Sequence, residues 1–181
     1  MRVIAGEARG FLLKSARGRS VRPTADRVRE ALFSILADRV EGSRFLDLYA
    51  GTGAVGIEAL SRGASEAMFV ERSRAALRAI HSNLRRCGFE NRARVIASPV
   101  LQALGRGELE GHYGVIYVDP PYESTEAPLV LVLLGGEQEN RVSGGLVVLE
   151  HRRAACPPDG AGRLRLARTA LYGDTALSFY Q

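Results

Sequence analysis

Cysteine is scarce in this chain. Only Cys87 and Cys156 occur in 181 residues, with no CxxC spacing and no neighbouring histidine. That excludes a disulfide framework and a zinc site of any familiar spacing, so no metal is expected. Long apolar runs are missing too. The longest, PLVLVLLGG over 128–136, falls far short of the roughly 20 residues needed to cross a bilayer. The first residues, MRVIAGEARG, have no apolar stretch followed by a cleavage site, and the chain is expected in the cytoplasm without membrane contact. Repeats at solenoid or propeller periods and low-complexity tracts are absent. The three histidines, His81, His112 and His151, belong to no recognisable Ser–His–Asp set. What remains is one domain's length of ordinary soluble composition.

The charge is unevenly placed. Residues 1–24 carry Arg2, Arg9, Lys14, Arg17, Arg19 and Arg22 against the single acid Glu7, while the rest of the chain is balanced, so the net charge of +5 lives in the N-terminal segment. A basic arm on a neutral body suits a polyanionic partner, because each cation that meets a phosphate releases counterions.

Residues 2–21 read as a β-hairpin, RVIAG paired with GFLLKSA. A helix follows in RPTADRVREALFSILADRV, with Val28, Ala31, Leu32, Ile35 and Leu36 on one face and Arg27, Arg29 and Glu30 opposite. After EGS, strands and helices alternate strictly. RFLDLY, EAMFVE, ARVIA, YGVIYVD and GLVVLEH are near-continuous apolar strands, as expected when helices cover both sheet faces. Such βα repeats predict a doubly wound parallel sheet. The end breaks the rhythm: RLRLARTALY and ALSFYQ, joined by GDT, read as a closing antiparallel hairpin. The expected fold class is therefore α/β, a Rossmann-like sheet of the class I methyltransferase type. Residues 1–40 form its N-terminal hairpin and helix extension and 41–181 the catalytic domain.

FLDLYAGTGAVGIEAL contains Gly51-x-Gly53-x-x-Gly56, the dinucleotide fingerprint, yet Asp47 sits just upstream. A pyrophosphate over that turn would be repelled by the carboxylate. S-adenosylmethionine has no phosphate; its carboxylate suits the turn's amides, and its ammonium and sulfonium suit Asp47. Tyr49 and Thr52 travel with the turn as cofactor-lining candidates. Glu71, ending the second strand, is placed for the ribose hydroxyls.

Asp119-Pro120-Pro121-Tyr122 follows the fourth strand of the sheet. An exocyclic amine on a nucleobase is a poor nucleophile because its lone pair is delocalised into the ring. Acceptors for its two N–H bonds let the nitrogen aim that lone pair at a methyl group. Asp119 and the Pro120 carbonyl are such acceptors, the two prolines stiffen the loop, and Tyr122 can stack on an extruded base. Cytosine-C5 chemistry would instead need a cysteine nucleophile, and Cys156, in CPPDGAG, reads as a loop thiol. A DNA adenine-N6 or protein-glutamine methyltransferase could use the same motif, and a non-catalytic RNA-binding factor could keep the fold.

The blocks RVIAGEARG, RPTADRVREALF, DLYAGTGAVGIEALSRGA, VDPPY and YGDTALSFY together resemble the RsmD-like bacterial methyltransferases over nearly the whole chain. The resemblance implies S-adenosylmethionine as donor and one guanine N2 of 16S rRNA as target, within an assembling 30S particle. A monomer is expected. It places Asp47, Gly51 and Gly53 at the cofactor, Glu71 at the ribose and Asp119 to Tyr122 at the target amine. RNA contacts are expected from Arg9, Arg17, Arg19, Arg22 and Arg27. One departure is visible: where such enzymes often carry an acidic or amide residue near the adenine, this chain has Ser98-Pro99.

Overall fold

The computed structural model describes every residue except 16–22, 110, 122–123 and 137–141. Arg17, Arg19, Arg22 and Tyr122, singled out above, lie outside the described residues. Chain order gives α1 (Pro23–Leu36), β1 (Arg44–Leu48), α2 (Ala54–Ser61), β2 (Glu66–Glu71), α3 (Arg74–Cys87), β3 (Ala93–Ala97) and α4 (Val100–Gly105). Then come β4 (Gly111–Val118), α5 (Ala127–Gly135), β5 (Val142–Arg152), β6 (Gly160–Ala161), β7 (Leu164–Tyr172) and β8 (Thr175–Tyr180).

The strands form one sheet in the order β3-β2-β1-β4-β5-β8-β7-β6. β1 to β5 run parallel, and β8 joins β5 antiparallel, followed by β7. The chain winds outward from β1 to β3 on one side, then returns to β4 on the other. That makes the carboxyl ends of β1 and β4 the topological switch point, where open α/β sheets bind ligands.

Alternation along the strands splits the core. Phe45, Phe69, Val115, Tyr117 and Val148 face the side covered by α1, α2 and α3. Leu46, Leu48, Met68, Ile116, Val118 and Val147 face α4 and α5. Each fully buried Leu or Phe contributes roughly 1.5–3 kcal/mol over leaving it exposed. Local sequence bounds α3: Ser73 caps its start by accepting from the Ala76 amide, and Gly88, at φ 73°, closes its end. Gly56 is required for packing, since a Cβ there would run into the Phe69 ring.

The first forty residues share this core. Val3, Ala8, Leu13, Val28, Leu32, Phe33, Leu36 and Val40 are buried in the same cluster as Phe45 and Ile57. The N-terminal hairpin is narrow, with one bridge, Arg2 to Leu12, and amide bonds from Val3 to Phe11 and from Leu13 to Met1.

One expectation fails here. Arg29, placed with Arg27 on the outer face of α1, is only 4% exposed, whereas Arg27 is exposed. Arg29 is drawn inward because its Nη2 donates to the Arg2 carbonyl (2.6 Å) and to Asp26 (3.2 Å), with Glu58 of α2 3.7 Å from its Nε.

Candidate active site

The carboxyl ends of β1, β2 and β4 bring Asp47, the glycine turn, Glu71 and Asp119 to one edge of the sheet. Asp47, next to last in β1, is 1% exposed and accepts from the Gly56 amide at 2.9 Å. The chain then turns through Tyr49, a non-glycine at φ 62°, a left-handed conformation that costs energy and is tolerated mainly at functional turns. Gly51 and Gly53 continue the turn with positive φ, and α2 starts at Gly53 with no side-chain cap. With the Gly56 amide taken by Asp47, the Ala54 and Val55 amides are left for an anion.

Burial pushes the Asp47 carboxyl up from about 3.8 to about 7, opposed by the Gly56 N–H and reinforced by the nearby charge of Glu71. The folded protein thus holds a proton that the unfolded chain releases near pH 4, so this group lowers stability as pH rises from about 4 to about 7. Asp47→Asn keeps an oxygen for the Gly56 amide and removes the charge. We expect it to exceed wild type in urea-unfolding stability at pH 8 by on the order of a few kcal/mol, with the gap closing at pH 4. A gap that does not change with pH would refute this.

Glu71 closes the turn from β2. Its Oε2 accepts from the Gly51 amide (2.9 Å) and its Oε1 from Arg72 (2.8 Å) and Ser73 (2.7 Å). Ser98, 6% exposed, gives its amide to the Glu71 carbonyl, and its hydroxyl lies 3.2 Å from the Pro99 carbonyl.

The second half of the site enters from β4. The Asp119 amide donates to the Leu48 carbonyl (3.3 Å), stitching the Asp119-Pro120-Pro121 segment to the end of β1. Asp119 is half-buried, Pro120 buried and Pro121 exposed. The Ser124 amide donates to the Pro121 carbonyl (2.7 Å), and the Tyr49 hydroxyl donates to Glu126 (2.6 Å). Tyr49 thereby clasps the cofactor-type turn to the segment beyond the prolines. Beneath Asp119, the buried Tyr117 hydroxyl donates to Glu150 of β5. Burial raises both groups' pKa values, with the Glu150 and Asp119 charges pushing Tyr117 up further.

Two buried polar residues that periodicity passes over tie the N-terminal hairpin to the helices on either side of the glycine turn. Asn83, fully buried on α3, donates to the Thr52 carbonyl (3.0 Å) and the Lys14 carbonyl (3.1 Å) and accepts from the Lys14 amide (2.7 Å). Glu58 on α2 is fully buried and holds the Ile4 and Ala5 amides. The available signal was a polar residue at a core position of an amphipathic helix. Of the remaining candidates, Arg9 is exposed, as are His81, His112 and Cys156. His151 is buried with Ser178 at 2.8 Å. No group of three metal-ligating side chains occurs among the described residues, and no helix there is long and apolar enough to cross a membrane.

A parallel sheet with a glycine turn after β1 and a closing antiparallel hairpin is the S-adenosylmethionine-dependent methyltransferase fold. The Thermus thermophilus 16S rRNA N2 G1207 methyltransferase RsmC, solved with AdoMet and guanosine, has this fold at TM-score 0.68 and 23% identity, over 91% of this chain and 44% of its own. The chain belongs to the RsmD family, whose model, described as conserved hypothetical protein 95, matches residues 1–181. It is 36% identical to Bacillus subtilis YlbH over 100% of this chain and 98% of that protein. It is 36% identical to the Haemophilus influenzae ribosomal RNA small subunit methyltransferase D over 74% of this chain and 70% of that protein. The Escherichia coli yhhF structure superposes with TM-score 0.84 at 33% identity, covering 100% of this chain and 97% of its own.

Proposed function

We propose that this protein transfers the methyl group of S-adenosylmethionine to the exocyclic N2 of a guanine in 16S rRNA. It acts in the cytoplasm as a monomer on an assembling 30S particle. The observation that carries this reading is the place of Asp119-Pro120-Pro121, bonded through the Asp119 amide to the end of β1, beside the glycine turn at the switch point.

The residues present fit the donor. The Ala54 and Val55 amides at the start of α2 suit its carboxylate. Asp47 spends one oxygen on Gly56 and offers the other to the cationic side, where a cation would favour its ionised form. Glu71 already accepts three amides, so of its roughly four lone-pair sites Oε2 keeps one for a ribose hydroxyl. Pro99 lacks an N–H, which leaves the adenine edge to the Ser98 hydroxyl.

When bound, the donor supplies an electrophilic methyl on a sulfonium that departs as a neutral thioether. Asp119 and the Pro120 carbonyl accept the two N–H bonds of the amine and hold its lone pair in line with that methyl. The N–C bond forms as the C–S bond breaks, and the surplus proton leaves to Asp119 or water. The sequence assigns Tyr122 to stacking on the base. Residues 1–40 serve as the RNA-binding extension and 41–181 as the catalytic domain.

Tritiated S-adenosylmethionine should label 16S rRNA from cells lacking the enzyme, with the label recovered as N2-methylguanine. Recovery as N6-methyladenine, or only in protein, would eliminate the proposal. In the extension, replacing Arg9, Arg17 and Arg19 together should weaken rRNA binding and reduce the slope of log affinity against log salt by roughly 2 to 3. An unchanged slope would return these arginines to an ordinary solvated surface. Arg22 and Arg27 are assigned the same role.

A further inference from the structure

We propose that the N-terminal hairpin, residues 2–14, is a rigid platform on which Phe11 stacks an unpaired base of the same RNA. Arg2, Arg9 and Lys14 take the adjoining phosphates. The proposal rests on the RNA-methylating reading above and adds a site to it.

The hairpin displays what a folded core would hide. Val3 and Leu13 point inward at 1% and 7% exposure, while Phe11 and Leu12 stand 44% and 57% exposed. Arg2, cross-strand from Leu12, is exposed, as are Arg9 and Lys14. None of these three cations has an acidic partner among the described residues. The segment's one acid, Glu7, is taken by Arg92 at 2.7 Å. An exposed aromatic ring on a hairpin that also carries three cations with no acidic partner among the described residues suits a flat base on a phosphate backbone. An apolar protein surface would strip water from three charges with nothing to pair them.

The hairpin is also held far more firmly than its single bridge requires. The Ile4 and Ala5 amides donate to Glu58 (2.8 and 3.0 Å). Ser61 accepts the Ala8 amide on its hydroxyl (2.9 Å) and the Glu7 amide on its carbonyl (2.8 Å). Gly6, at φ 82°, lies so close to the Ser61 carbonyl that no Cβ fits. At the far end Asn83 holds Lys14 and, with the same amide, the Thr52 carbonyl of the glycine turn. Buried polar groups thus fix the platform to the helix and turn that shape the active site. A preordered aromatic loses little entropy when a base lands on it.

Single-stranded bases stack on aromatic side chains without dependence on salt-driven counterion release. In the full-length protein with protein-free 16S rRNA as probe, Phe11→Ala should therefore weaken binding roughly ten-fold with an unchanged salt slope. Phe11→Trp should restore affinity. The chain has no tryptophan, so this one becomes a sole reporter, and RNA should quench its fluorescence. Binding by Phe11→Ala within about twofold of wild type, or unquenched Phe11→Trp, overturns the platform. A defect seen only on 30S particles and absent on protein-free RNA also overturns it, in favour of a protein partner. Failure of the parent reading is distinguishable: wild type would then leave 16S rRNA unlabelled by tritiated S-adenosylmethionine.

Discussion

Asp119→Ala should lower kcat about a thousandfold while S-adenosylmethionine binds within about threefold of wild type. The split follows from position. Asp119 sits at the end of β4, and its amide, not its side chain, makes the bond to the Leu48 carbonyl. Truncating the side chain leaves that stitch between the Asp119-Pro120-Pro121 segment and the end of β1 in place. What is lost is an acceptor for the amine and, if the proton passes that way, its first destination. The lone pair of an exocyclic amine returns to ring conjugation unless both N–H bonds are held, and the remaining Pro120 carbonyl holds only one. Asp119→Asn tests the same step more gently: its oxygen can still accept, but without charge, and an intermediate kcat is expected. Isothermal titration with S-adenosylmethionine and single-turnover methylation of 16S rRNA separate the two steps. A collapse of donor affinity in Asp119→Ala would place this carboxylate at the cofactor and remove it from the amine.

Much of this architecture is legible in the amino-acid order because it is local. Strand alternation, the Ser73 cap, the Gly88 stop and the shift from βα units to a closing hairpin each depend on residues within a turn or two of each other. Asp47, the glycine turn and Asp119 could be read together for a similar reason: parallel strands must bring their carboxyl ends to one edge. Other features are not local. Arg29 looks like an outward-facing charge by helical period, yet it is buried because Glu58 and the Arg2 carbonyl wait across the chain. Asn83 reaches Lys14 over a separation of 69 residues, and Glu58 reaches Ile4 over 54. Side-chain bonds to distant backbone leave no periodic trace. Their only mark is a polar letter where an apolar one is due. The Tyr49–Glu126 clasp is hidden in the same way, since neither residue type announces a partner 77 positions away.

The most consequential of these hidden contacts is Glu58, and its removal should cost the protein about 3–5 kcal/mol of folding free energy. Its two oxygens receive the Ile4 amide, the Ala5 amide and Arg62 Nε at 2.8 Å, with Arg29 Nε at 3.7 Å. That last contact is too long for a hydrogen bond, and Arg29 Nε has no hydrogen-bond partner. Arg29 therefore depends on Glu58 for charge compensation. Glu58→Ala leaves two amides without acceptors and a buried guanidinium with only Asp26, which is 40% exposed, beside it. A domain with a typical stability of about 5–15 kcal/mol would lose about a fifth of it or more. Urea unfolding should show this as a large fall in midpoint. Glu58→Gln, which keeps one acceptor and the volume, should fall between. The sharper measurement is the pair: Arg29→Leu with Glu58→Ala should be less destabilised than the sum of the two single changes, because the second removes the charge the first stranded. Strict additivity, or a Glu58→Ala protein within about 1 kcal/mol of wild type, would mean that water replaces the carboxylate. The hairpin would then be held by Ser61, Asn83 and its apolar contacts.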